Sequence, residues 1–181
     1  MAASYMAFAS WEFDLLGIAR VYTSSKLPGV YETIVKDSSQ FAIMELPWHY
    51  DREGALPIFA QYYMFLQPLH GHPMVGGFPA RYLEGALNFT ENTDFIFHLT
   101  HPWSLGPLEK DPKYKELEQK LRHNGAEILR HYGIKYVIYH PRIPGYPTLF
   151  EDSRLAAWLE RSLGPPVLRD TDGNHLYLAG N

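Results

Sequence analysis

Two short apolar runs constrain this chain more than any other feature. Phe41-Ala42-Ile43-Met44-Glu45-Leu46 is almost continuously apolar and stops at Pro47. Ile134-Lys135-Tyr136-Val137-Ile138-Tyr139 is β-branched and aromatic, opens after Gly133 and closes at His140 and Pro141. Runs this short, apolar on consecutive positions, mark strands covered on both faces, as in sheets whose crossover helices bury them. The expected fold is α/β: a small, mostly parallel sheet flanked by helices, with these two runs as central strands and a C-terminal β-hairpin.

The remaining segments supply the helices. Pro28 sits where a helix can begin without losing a hydrogen bond. Val30, Tyr31 and Ile34 form that helix's inward face, and Asp37-Ser38-Ser39 ends it. Ile58 to Leu66 reads as a short helix rich in rings, Pro73 to Val75 as a second core strand, and Arg81–Leu87 and Thr93–Leu99 as short helices. Ile18 to Tyr22 reads as a short strand. Lys113 to Tyr132 carries the longest stripe, Leu117, Leu121, Ile128, Leu129 and Tyr132. Gly125 is expected to delay or bend it, and Gly133 to cap it. Glu151 to Leu163 turns Leu155, Trp158 and Leu159 inward. Val167–Asp170 and His175–Leu178 flank Thr171-Asp172-Gly173-Asn174, a hairpin turn. No repeat or internal linker interrupts residues 1–181, which read as one domain.

Composition excludes several functions. The net charge of -4 gives no bulk attraction to nucleic acid or to an anionic membrane surface. The absence of cysteine removes disulfides, thiol catalysis and thiolate metal sites. No apolar run approaches the ~18 residues of a spanning helix, and Met1–Ala9 lack the basic and apolar regions of a secretory signal. Neither phosphate-loop spacing, a dinucleotide glycine fingerprint nor a serine elbow occurs.

The stretch from Phe41 to Arg81 concentrates the chemistry. Glu45 stands at the carboxyl end of a strand, where open α/β sheets gather ligands. It reads either as a general acid or base or sugar-hydroxyl acceptor, or as a structural carboxylate that accepts backbone N–H groups or pairs with Arg81. His70 and His72 form an H-x-H pair to which His49 or Asp51 would add a third metal ligand, against the alternative of two satisfied rings. Trp48, Tyr50, Gln61, Tyr62 and Tyr63 suit sugar stacking, though helical spacing favours a ring cluster in the core. The candidate ligand-binding set is Glu45, Trp48, His49, Asp51, Gln61, Tyr62, His70, His72 and Arg81, around a cleft between the end of Phe41–Leu46, the Trp48–Asp51 loop and the His70–Gly77 turn. No cofactor and no resident metal are expected.

Several segments carry a resemblance: Pro28-Gly29-Val30-Tyr31-Glu32-Thr33-Ile34, Phe41 to Pro47, Gln61-Tyr62, His70-Gly71-His72-Pro73, Gly76-Gly77 with Arg81, and Gly133 to His140. In this order they resemble the C-terminal soluble domain of bacterial multi-spanning membrane proteins related to the GT-C glycosyltransferases. The spacing from Gln61 to His70 is longer than in that family, which usually has Gln-Thr before the histidine. The resemblance implies a tail excised from a longer membrane protein, on the extracytoplasmic face of a bacterial membrane. Its partners would be the membrane-embedded part of the parent and a glycan or lipid-linked sugar. Any glycosyl transfer would then lie in the membrane part, leaving the isolated chain inactive. The rival is a free-standing hydrolase or metal-dependent enzyme using Glu45 and the His70/His72 region. A third reading is a structural cap without ligand.

Overall fold

The computed structural model describes residues 27–47, 58–75, 93–100, 112–142 and 153–179. In chain order these form α1 (Gly29–Val35), β1 (Ala42–Leu46), α2 (Ile58–His70), β2 (Met74–Val75), α3 (Asp94–Thr100), α4 (Pro112–His131), β3 (Ile134–Tyr139), α5 (Ser153–Leu163), β4 (Leu168–Arg169) and β5 (His175–Leu178). The strands make one sheet in the order β2-β1-β3-β5-β4. The two apolar runs are β1 and β3, both interior, as their composition predicts. The expected strand over Ile18–Tyr22 and the helix over Arg81–Leu87 lie outside the described residues.

The sheet is mixed, which corrects the expectation of a mostly parallel one. β1 runs parallel to β2 and β3, whereas β5 is antiparallel to both β3 and β4. The reason lies in the C-terminal turn. α5 carries the chain across so that β4 points the same way as β3, two strand positions away. The turn then folds β5 back into the gap between them, and Gly173 supplies the left-handed backbone (φ 86°).

Both faces of the sheet are covered. One core joins Val30, Tyr31 and Ile34 of α1 and Tyr62, Tyr63 and Leu66 of α2 to Ile43, Tyr136, Ile138 and Leu176. The other joins Phe95, Ile96 and Leu99 of α3, Leu129 of α4, and Leu155, Trp158 and Leu159 of α5 to Met44, Leu46, Val137 and Tyr177. Strand alternation sorts side chains between these cores. A register shift between Ala42 and Ile43 breaks the alternation on β3, since Ala42 faces Ile134 while Ile43 faces Tyr136. The extra residue, Lys135, puts Ile134 in the α3–α5 core and Tyr136 in the other. Asp37 holds this end, accepting from Lys135 Nζ at 2.5 Å and from the Tyr136 hydroxyl at 2.9 Å. These bonds hold the Asp37 carboxyl well below its usual pKa, the Lys135 contact most. Burial, reinforced by Asp37, pushes Tyr136 up to about 12.

The helices differ from expectation in three places. α2 continues through Pro68 to His70 and stops at Gly71, whose φ is 73°. α4 neither starts late nor breaks at Gly125. That glycine instead makes room for a neighbour: a Cβ there would lie 2.9 Å from two atoms of the Phe95 ring. Tyr132, expected inward, is 44% exposed. Gly133 caps α4 in the left-handed conformation (φ 71°), as expected.

Gly125→Ala should therefore destabilise the protein by about 1–3 kcal/mol through overpacking, although alanine is the better helix former by about 1 kcal/mol. Urea unfolding of the variant checks this. A midpoint raised above that of the parent protein would mean that Phe95 yields freely.

Candidate functional site

At the carboxyl ends of β1 and β3 the sheet carries polar side chains into its α1–α2 face. Glu45 pairs across to Ile138, and Leu46 to Tyr139. The His140 N–H then donates to the Leu46 carbonyl at 2.8 Å, continuing the ladder one residue past β3. Alternation turns Glu45 and His140 to the same side, where their side chains meet. Glu45 is 2% exposed and His140 0%.

The bonds around this pair form a closed ring. Glu45 Oε2 lies 2.6 Å from His140 Nε2. The Tyr31 hydroxyl donates to the Glu45 carboxyl, 2.9 Å from Oε1 and 3.1 Å from Oε2. His140 Nδ1 lies 2.8 Å from Asn174 Oδ1. Asn174 Nδ2 donates to Asp170 Oδ2 at 3.0 Å. Asp170 Oδ2 also accepts the Val30 N–H of α1 at 3.4 Å, serving a helix start whose N-cap, Pro28, makes no side-chain cap. The ring thus begins and ends on α1, at Val30 and Tyr31. Gly29 lets the hairpin approach, since a Cβ there would stand 3.1 Å from the Asp170 Cβ.

The ring determines where its protons sit. A carboxylate only accepts, so the Asn174 amide nitrogen faces Asp170 and its oxygen faces His140. His140 Nδ1 must then carry a hydrogen. The 2.6 Å contact at Nε2 needs a hydrogen as well. The Glu45–His140 pair accordingly holds a proton between its two members, as imidazolium and carboxylate or as imidazole and carboxylic acid.

Rings enclose the imidazole. Tyr63 stacks on His140 with centroids 5.2 Å apart, Tyr31 stacks at 6.2 Å, and Tyr62 meets it edge-on at 5.8 Å. The Tyr63 hydroxyl donates to the Pro47 carbonyl at 3.0 Å. Burial, and then the Glu45 charge, push the Tyr31 and Tyr63 phenols well above their usual range, so both stay protonated and act as donors. The arrangement fixes the geometry of the cluster.

His70 closes the far side. Its ring stacks on Tyr31 at 5.6 Å and on His72 at 6.3 Å, and its Nδ1 accepts the His72 N–H at 3.2 Å. Nε2 is buried and has no hydrogen-bond partner among the described residues. Burial lowers the His70 pKa, His72 lowers it further, and Glu45 opposes them. His72 stacks on Phe41 at 4.0 Å. The H-x-H pair is therefore a ring stack, and no cluster of three or more metal-ligating side chains occurs among the described residues.

Of the sequence-derived candidates, the structure brings Glu45, Tyr62 and His70 together and sets His72 beside them. Tyr62 is a buried core ring. Gln61 lies on α2, and its side chain falls outside the described residues, as do Trp48, His49, Asp51 and Arg81. The suggested Glu45–Arg81 pair consequently lies outside them too. Glu45 takes Tyr31 and His140 as partners. Sequence reasoning missed Tyr31, His140, Asn174 and Asp170 as polar partners. The legible signal was His140, a histidine directly after the second central strand as Glu45 is directly before the end of the first.

No family model, curated protein or solved structure matches the chain. The site is thus read from its own geometry.

Two measurements follow. His140→Leu leaves Glu45 buried without its partner and should cost about 3–5 kcal/mol in urea unfolding, most of which the double variant Glu45→Met/His140→Leu should restore. Equal losses in both variants would show that the cost does not come from leaving Glu45 unpaired. For His70, the folded pKa lies below the unfolded value of 6.5. The unfolded chain therefore takes up a proton first as pH falls, so this contribution to stability is intact above 6.5 and lost below it. Unfolding free energies from pH 7.5 to 5 should fall less steeply in His70→Phe than in the parent. Parallel slopes would remove His70 from the acid response.

Proposed function

We propose that this chain is an accessory, extracytoplasmic domain of a membrane glycosyltransferase-like protein. It binds or positions a glycan or lipid-linked sugar beside the membrane-embedded part of the same protein and does no group transfer itself. One observation carries the reading. Segments far apart in sequence that bear the resemblance to GT-C-related proteins each supply a residue to one buried cluster: Tyr31, Glu45, Tyr62, His70 and His140. The state of that cluster argues for a supporting rather than catalytic role. Its carboxylate and imidazole are bonded to each other and to neighbouring side chains, and rings cover the imidazole. A general acid or base needs reach to a substrate proton.

The isolated chain, incubated with lipid-linked sugar donors and a saccharide acceptor, should bind saccharide while leaving the donor unconsumed. Mass spectrometry of the extracted lipid reads this directly. Transfer or hydrolysis that disappears in a folded Glu45→Gln variant would replace this reading with that of an enzyme built on Glu45 and His70.

A further inference from the structure

An open groove of about 530 Å³ lies at the carboxyl end of β3, on the α5 side of the sheet. Tyr139 and Ala156 line it beside Pro141 and Arg142, and Thr171, Asp172 and His175 of the hairpin close the opposite wall. This volume is within the roughly 300–1,000 Å³ typical of small-molecule sites. The location is also where α/β sheets hold ligands, beyond the carboxyl ends of their strands.

The hairpin wall is held from behind. Asp170 Oδ1 accepts the backbone N–H groups of Asp172 and Asn174, at 3.0 and 2.9 Å, which shapes the turn. Asn174 ties the same turn to His140. The buried ring and the groove are thus two sides of one turn: its inner side chains are committed to the ring, and its outer ones line the groove. Thr171 and Asp172 are exposed, and neither side chain bonds to another group among the described residues.

The lining selects a ligand class. The charged side chains that line the groove, Arg142 and Asp172, are of opposite sign. A carboxylate accepts from two vicinal hydroxyls, while a hydroxyl and a guanidinium supply donors. Pro141 and Ala156 give a partly exposed apolar surface beside them, over the buried Tyr139, matching the apolar face of a sugar ring. Burial and the nearby Arg169 lower the pKa of His175, so it adds no charge at neutral pH. By contrast, the rings of the His70 turn are stacked against Tyr31 and Phe41.

We propose that this groove, and not the cleft at the His70 turn, binds a neutral sugar unit through Asp172 and Thr171 over the face formed by Pro141 and Ala156. The assignment rests on the glycan-binding reading given above and names its site and ligand class.

The test is titration of the isotope-labelled chain with chitobiose, cellobiose and mannobiose at millimolar concentration, followed by amide chemical shifts. Inorganic phosphate serves as the anionic control. At least one disaccharide should shift Arg142, Thr171, Asp172 and Gly173. Asp172→Ala should weaken its binding about tenfold, as expected for loss of a hydrogen bond to a charged group, with the melting temperature unchanged because the residue is exposed. Saccharide shifts confined to another surface would overturn the groove and leave the glycan-binding reading standing. Silence from all three saccharides would remove both. A response to phosphate alone would overturn the ligand class, and undiminished binding by Asp172→Ala would overturn the residue assignment.

Discussion

The structure depends on a proton held between Glu45 and His140. Around it closes a ring of hydrogen bonds that runs from α1 through β1, the end of β3 and the C-terminal hairpin, and returns to α1. Residues 140 positions apart are joined at the Val30–Asp170 contact. Each link is specific in direction: Asp170 orients the Asn174 amide, the amide sets the His140 tautomer, and the tautomer requires the shared proton.

Such a ring is an expensive way to fill a core. Moving a carboxylate and an imidazole out of water costs several kcal/mol per ion, and a pair of well-packed apolar residues often does as well. What the polar ring adds is uniqueness. Apolar contacts tolerate sliding, whereas a bond between Glu45 and His140 holds only when Glu45 faces Ile138 in the β1–β3 register. A slip by one residue would turn Glu45 to the opposite face of the sheet. The same bonds place the hairpin turn, and with it the wall of the groove beside β3.

The functional reading follows from the same constraint. Polar groups saturated by one another are poor catalysts and good supports. The ring uses its titratable groups internally and leaves the outer side chains of the turn, Thr171 and Asp172, facing the groove. This division of one turn between an inner and an outer role is the structural basis of the binding reading proposed above.

Much of the architecture was legible in the chain. Local sequence determined β1 and β3 as interior strands, because continuous apolar runs are stable only when covered on both faces. It determined the C-terminal hairpin, because Gly173 allows the turn, and the inward faces of α1 and α5, because their apolar residues recur at helical spacing. It also pointed to Glu45 at a strand end. Tertiary structure alone decided the rest. The direction of β5 depends on where α5 returns the chain, and the face taken by Ile134 depends on a one-residue bulge against β1. Gly125 read as a helix weakness until Phe95 was found packed against it. The ring around Glu45 was hidden for the same reason. Tyr31 looks apolar in a helical stripe, and Asn174 and Asp170 look like turn residues. The bonds that join them to β1, β3 and α1 span 14, 34 and 140 positions, and a bond between distant residues exists only once the sheet has brought their elements together.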